Sequence, residues 1–377
     1  MTTEKKTIMY LKFIFLSSLI LLLNFMSSVT GYAQTDDDEF SYVEASNFTL
    51  IGKIMDTGVP YARVDTMIYK GWSKWENFEV RTSTGLAVLF KTNSTSIRIL
   101  GDYGELYNGV STNVLSHRGF DLYILKDGKW LWAGAGCSPI GKENTSAKLI
   151  SGMDGSLHEC LMYLPVFSEL RGLKIGVTKG SILEPLESPF LHRIGIYGSS
   201  FTHGASTGRA GMTYPAIFSR RTGIQLVNLA MSGCCTMQPY AAEVLKDADV
   251  DGYIFDTFSN PSPAQIKSRL FPFIEKIQSA HPDIPLIFQR TIRRENRNFD
   301  KVLDREEAER IHVADSMMSI ACKKYKNVYY IFPNASEKNH EASIDGTHPS
   351  DYGYELWESS IERKVLRILR KYGIRSK

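Results

Sequence analysis

The sequence predicts an α/β domain built on a parallel sheet, preceded by a β-sandwich. Three observations carry this prediction. Beyond about residue 190, strand-like apolar runs alternate with helical stretches, five of each. From 45 to 185 there are only short strand-like runs between turn residues, and no long helical periodicity. Finally, Arg193-Ile194-Gly195-Ile196-Tyr197 runs straight into Gly198-Ser199-Ser200-Phe201-Thr202-His203-Gly204, as a buried strand enters a sharp loop.

The amino terminus stands apart. Lys5, Lys6 and Lys12 precede the apolar run Phe13–Leu23, and Gly31-Tyr32-Ala33 follows it. A basic start, a short apolar centre and small residues before a cut after Ala33 predict a secretory signal peptide. The alternative is a membrane anchor, but Ser17, Ser18 and Asn24 leave the apolar stretch short for a span. The expected divisions are therefore 1–34 for the signal, 35–188 for the sandwich and 189–377 for the α/β domain. The mature protein would be secreted or periplasmic, with no stable membrane insertion. Asp36-Asp37-Asp38-Glu39 reads as a solvated tail at its start.

At 377 residues, with 43% hydrophobic and 23% charged residues, the chain has enough apolar material for two ordinary cores. A net charge of +3 gives no case for a nucleic-acid partner. The five cysteines are Cys137, Cys160, Cys234, Cys235 and Cys322; an odd number leaves at least one unpaired. Cys137 and Cys160 could bridge, but the reading preferred for both is a small buried thiol. No Cys/His spacing predicts a metal site.

Within the sandwich, the runs Gly85–Phe90, Ser96–Leu100, Phe120–Leu125 and Leu173–Val177 read as strands. Lys126-Asp127-Gly128-Lys129 is a hairpin signal between Tyr123-Ile124-Leu125 and Trp130-Leu131-Trp132. A jelly-roll type of sandwich follows. The boundary falls in Ile182–Pro189, which holds Pro185 and Pro189. Beyond it, strands begin at Ile194, Ile224, Gly252, Pro285 and Val328. Helices are expected near 213–222, 237–247, 262–280, 304–324 and 351–372.

Open α/β sheets bind ligands beyond the carboxyl ends of their strands. Those ends carry Ser199-Ser200, then Met231-Ser232-Gly233-Cys234-Cys235, then Asp256-Thr257-Phe258-Ser259-Asn260, and last Asp345-Gly346-Thr347-His348-Pro349 before the final helix. Asp345 and His348 are close enough for the carboxylate to take the Nδ1 proton and leave Nε2 to accept a serine proton. An Asp-Gly turn with a surface histidine is the plainer alternative. Gly233, Asn260 and the Ser200 N–H are candidate donors to an oxyanion. Gly233 as an ordinary turn, and Asn260 as a helix cap, are the competing readings. Ser350 or Asp351 would cap the last helix.

Gly198–Gly204 resembles the first block of the GDSL, or SGNH, hydrolases. Gly233 matches their second block, Asn260 their third, and Asp345-Gly346-Thr347-His348-Pro349 their fifth, in the family's order. The resemblance implies a flavodoxin-like three-layer α/β/α fold and serine esterase or acylhydrolase chemistry. It selects Ser200 over Ser199 as nucleophile, with His348 as base and Asp345 as its orienter. Gly233, Asn260 and the Ser200 amide become the oxyanion hole, and no cofactor or metal is implied. Two departures stand out: Ser199 occupies a position that is Asp in many relatives, and Phe258-Ser259 precede Asn260 where relatives carry glycine. Arg118-Gly119-Phe120-Asp121-Leu122-Tyr123 and Glu159–Pro165 resemble the Gly-x-Asp-Leu-Tyr β-domain that precedes such hydrolases.

That layout implies a small acyl ester, acetyl above all, on a carbohydrate. The alternatives are a lipid-directed acylhydrolase and a non-catalytic carbohydrate-binding protein. His203 is expected on the rim of the site. The arginines Arg290, Arg293, Arg294 and Arg297 read as a solvated loop, with a rim for anionic sugars as the alternative. Trp72, Trp75, Trp130 and Trp132 read as core or hairpin packing. Cys234 and Cys235 lack a neighbouring histidine or helix start to make a thiolate nucleophile.

Overall fold

In the computed structural model the described residues are 39–107, 109–138 and 145–377. The expected export signal, its cut after Ala33, and Asp36–Asp38 of the acidic run lie outside the described residues.

The first part of the chain forms β1 (Phe40–Glu44), β2 (Thr49–Ile51), β3 (Ala87–Thr92), β4 (Ser96–Leu106), β5 (Phe120–Lys126), β6 (Lys129–Gly136), β7 (Ala147–Ser151), β8 (His158–Tyr163), β9 (Ser168–Thr178) and β10 (Leu183–Pro185). One sheet runs β1-β9-β4-β7; the other runs β10-β3-β8-β5-β6, with β2 beside β3. Apart from β2 and β10, the first strand pairs with the last, the second with the next to last, and so inward to β5 and β6. That nesting is a jelly roll. At its centre Asp127 and Gly128 both have positive φ, 51° and 75°. Two such residues make a hairpin turn whose twist matches the strands.

β3 shows why its sequence is continuously apolar. Val88 and Phe90 enter the sandwich core. Ala87 and Leu89, on the opposite face, pack with Ala205, Ala210 and Ala216 of the α/β part. A strand buried on both faces loses the alternation of a half-exposed one. Two short helices interrupt the strands: α1 (Lys74–Arg81) and α2 (Val114–Arg118). Ser73 and Glu76 close a reciprocal capping box at the start of α1.

The second part forms β11 (Arg193–Gly198), α3 (Ser200–His203), α4 (Tyr214–Thr222), β12 (Gln225–Asn228), α5 (Pro239–Asp247), β13 (Gly252–Asp256), α6 (Pro263–Ala280), β14 (Leu286–Gln289), α7 (Lys301–Lys324), β15 (Val328–Ile331) and α8 (Asp351–Leu369). The sheet is parallel, in the flavodoxin-like order β12-β11-β13-β14-β15. Ile194, Ile196, Ile254 and Ile287 face α4 and α8, against Phe218, Trp357 and Ile361. Tyr197, Phe255 and Phe288 face α5, α6 and α7, against Val244, Ile274 and Met318. Helix α7 starts earlier than the expected 304 because Asp300 caps it, accepting from the Val302 and Leu303 amides at 3.0 and 2.9 Å.

Tyr42–Lys377 form one compact unit. Arg63 is a fully buried pin within it. Its Nη1 donates to the carbonyls of Asn228 (3.2 Å), the last residue of β12, and Ala230 (2.9 Å), just beyond it. Its Nε donates to the Thr82 carbonyl (3.1 Å), and Nη2 reaches Thr82 Oγ1 (3.1 Å) and the Glu79 carbonyl. Arg63→Met would keep most of the volume and strand these carbonyls without donors. The expected loss is about 3 kcal/mol or more, read as a lower midpoint in urea unfolding; an unchanged midpoint would show that the pin is dispensable.

Candidate active site

β11 ends at Gly198, and a Cβ there would lie 3.0 Å from the Asp256 Cβ and against Thr202. Only glycine lets the serine turn come this close to the end of β13. Ser199 then caps α3, its Oγ accepting from the Phe201 amide at 3.3 Å. That Oγ donates to Asp256 Oδ2 at 2.7 Å, so Ser199 is turned inward and fully buried. Ser200, one residue on, points the other way, with its Oγ 3.0 Å from His348 Nε2.

The acid and base come from the loop before α8. Asp345 Oδ1 accepts from the amides of Thr347 (2.9 Å) and His348 (2.7 Å), folding the segment onto its own side chain. Its Oδ2 lies 2.8 Å from His348 Nδ1. Burial works to raise the Asp345 carboxyl, but the His348 amide and imidazole and the Thr347 amide outweigh it, so it sits below the ordinary carboxylate value. The base of the loop is tied by the pairing of Ser343 with Pro349. Glu295 supports it from outside, accepting from Ser343 Oγ (2.6 Å) and Ser336 Oγ (2.7 Å). Ser350, rather than Asp351, caps α8.

Gly233 and Asn260 stand at the ends of β12 and β13, on either side of β11. Gly233 has φ +76° with open space where a Cβ would sit. Asn260 Oδ1 accepts from the Cys235 amide at 3.2 Å, which joins the two loops and orients the Asn260 amide. Ser232, just before Gly233, is held at both of its backbone groups by α1: its N–H at 2.6 Å by Glu79 Oε2, its carbonyl at 3.0 Å by Trp75 Nε1. Arg294 fixes the other loop, donating to the Ser259 carbonyl at 3.1 Å and pairing with Glu307 at 2.9 Å. Ser200, His348 and Asp345 thus form one hydrogen-bonded chain. Among the described residues no hydrogen bond links Gly233 or Asn260 to Ser200.

Three expectations change. His203 is not on a rim: it is fully buried, stacked on Phe167 at 4.2 Å, with Nδ1 2.9 Å from Glu79 and Nε2 2.8 Å from both Thr84 Oγ1 and the Val166 carbonyl. The arginine cluster is a solvated loop only at Arg293, which stays exposed. Arg290 pairs with Asp315, Arg294 with Glu307 and Arg297 with Asp304, because α7 presents a row of carboxylates to the segment that precedes it. Trp75 is partly exposed beside Ser232 rather than in a core. The five cysteines are free thiols. Burial holds the Cys235 thiol far above its ordinary value, and pushes Cys160 up to about 12.

Sequence reasoning missed Glu79 and Asp256. The capping pattern Ser73-Lys74-Trp75-Glu76 is a readable signal for α1, although it says nothing of what α1 touches. Asp256 is fully buried and accepts from the Ser199 amide (3.2 Å), Ser199 Oγ, Thr202 Oγ1 (2.9 Å) and Ser259 Oγ (3.3 Å). Burial pushes its carboxyl up to about 6, against the pull of these donors.

Residues 192–367 match the GDSL-like lipase/acylhydrolase family, and residues 40–183 match the GxDLY N-terminus of SGNH-hydrolase-type esterases. A Bacteroides ovatus structure described as a GDSL-like lipase is 35% identical, with a TM-score of 0.85, over 88% of this chain and 98% of that one. The chain is an ester hydrolase; it belongs to the GDSL-like lipase/acylhydrolase family. More distant likenesses share the fold. One is a salicylyl-acyltransferase from a tetracycline biosynthetic pathway, with 17% identity, a TM-score of 0.66, and coverage of 91% of this chain and 97% of that one. Another is a family two carbohydrate esterase from Cellvibrio japonicus, with 10% identity, a TM-score of 0.58, and coverage of 89% and 99%. Among curated proteins, none matches this chain.

The buried carboxyl makes a pH prediction. Asp256 ionises near 4 when unfolded and near 6 when folded. Its contribution to stability is therefore complete below pH 4 and is lost as pH rises through 6, a change of about 3 kcal/mol. Asp256→Asn keeps one acceptor oxygen and has no charge to bury. Its stability relative to the parent should rise between pH 4 and 6 and then level off, as measured by urea unfolding across that range.

Proposed function

We propose that the protein is an exported serine esterase that removes small acyl groups, acetyl foremost, from a carbohydrate. The observation that carries the mechanism is the continuous line Asp345–His348–Ser200. In this reading His348 Nε2 takes the Ser200 proton as Oγ attacks the ester carbonyl. Asp345 keeps Nδ1 protonated and offsets the charge of the imidazolium. The oxyanion is stabilised by the Ser200 N–H, which as the first of α3 lies outside the intrahelical ladder, with the Gly233 N–H and the Asn260 amide. The alcohol leaves with the proton from His348, and water resolves the acyl-enzyme by the same route.

Export rests on the amino-terminal sequence pattern, and with it the division into a signal, a sandwich of 35–188 and an α/β domain of 189–377. The carbohydrate assignment is supported by the sandwich-plus-hydrolase layout, shared with carbohydrate esterases of family two.

Ser200→Ala and His348→Ala should each lower p-nitrophenyl acetate hydrolysis by about 10⁴-fold or more. Turnover by Ser200→Ala equal to that of the parent would end the proposal. Rates that fall beyond butyryl in a series from acetyl to decanoyl esters support a small acyl pocket; rates that climb to decanoyl would favour the lipid-directed alternative. Acetate release from a panel of acetylated polysaccharides identifies the substrate.

The hold of α1 on the Ser232 backbone gives a second prediction. Glu79→Ala frees the Ser232 N–H, one peptide before that of Gly233, so kcat for acetyl esters should fall on the order of tenfold with little change in KM. Glu79→Gln, which retains an acceptor oxygen, should recover most of it.

A further inference from the structure

A cavity of about 480 Å³ lies where the β5–β6 hairpin meets α4 and α8, lined among others by Tyr123, Lys129, Trp130, Arg209, Arg220 and Arg221. Its volume is within the range of small-molecule sites. Four cations line it, and they are not equally satisfied. Arg209 pairs with Asp121 at 2.9 Å, and Arg221 pairs with Glu355 at 2.6 Å and with Glu358. Neither Lys129 nor Arg220 has a carboxylate within 4.0 Å among the described residues. Arg220 is nevertheless held in place: its guanidinium lies 4.0 Å over the Tyr123 ring and 5.4 Å from that of Tyr163. Its Nη1 is enclosed in that packing, where the side chain interacts with the Tyr163 hydroxyl.

We propose that this cavity binds an acidic sugar, a uronate unit, whose carboxylate is taken by Arg220 and Lys129 while its ring lies against Trp130. The planar guanidinium suits a carboxylate, and the C–H face of a pyranose suits an aromatic wall. A simple inorganic anion would use the charge and leave the aromatic wall idle. The cavity is separate from Ser200 but shares its supports. Asp351, on the same helix as Glu355, accepts from the Gly208 amide at 2.7 Å and so ties the segment between α3 and Arg209 to the start of α8. A chain bound here would be anchored beside the catalytic loops without occupying them, and the proposal does not depend on which ester is cleaved.

The test uses the full chain carrying Ser200→Ala, so that no ester is consumed. Calorimetric titration compares trigalacturonate with its methyl ester, in which the same sugars lack the charge. The acid should bind at least tenfold more tightly than the ester. Lys129→Gln, on an exposed hairpin where folding is not at risk, and Arg220→Gln should each weaken it at least tenfold. With Ser200 restored, Lys129→Gln should hydrolyse p-nitrophenyl acetate at the parent rate. Failure to bind trigalacturonate, equal affinity for acid and ester, or unchanged affinity in Lys129→Gln would each overturn the proposal, whatever the esterase assays show.

Discussion

The arrangement of the site depends on one buried carboxylate. Asp256 ends the central strand β13 and gathers the Ser199 amide and hydroxyl, the Thr202 hydroxyl and the Ser259 hydroxyl. Three of those groups belong to the turn that carries Ser200, and the fourth to the loop that carries Asn260. A single acceptor in a dry environment therefore sets the spacing between two loops that have no backbone ladder of their own. The glycine at 198 makes that convergence possible, and the inward turn of Ser199 leaves Ser200 facing His348.

The loops on the far side are held from outside the α/β part. Helix α1, an insertion between the strands of the jelly roll, grips the Ser232 backbone through Glu79 and Trp75. Arg63 ties the same region to the end of β12. The sandwich is thus a structural wall of the site. This explains why the outer face of β3 is apolar and why His203, which follows the nucleophile turn, is buried between Phe167, Thr84 and Glu79. On the opposite side, α7 supplies carboxylates that consume the charge of Arg290, Arg294 and Arg297. On the seam between hairpin and helices, Lys129 and Arg220 have no such carboxylate partner among the described residues.

Much of the fold was legible from sequence because it rests on local patterning. Alternating strands and helices, and the run of turns after short strands, gave both architectures, and Asp127-Gly128 gave the hairpin. The pairing of Asp345 with His348 was also legible, since a carboxylate three residues before a histidine, across a glycine, can fold back on its own amides. Helix α1 escaped notice because it is one short capped segment in a β-rich region, and only its capping box signals it. The role of Asp256 escaped because a strand-end aspartate looks the same whether it meets solvent or three hydroxyls.

By itself the sequence determined the order of elements, the family blocks and the chemical types at each strand end, because periodicity and turn chemistry act over a few residues. Only the tertiary structure decided what turns Ser199 inward, that His203 is sealed rather than exposed, and which arginines are neutralised. Those outcomes depend on groups distant in sequence: Asp256 for Ser199, Glu79 for His203, and Glu307 for Arg294. Contacts of that kind are set by how the strands are ordered in the sheet and how the sandwich docks against it, and no local pattern encodes them.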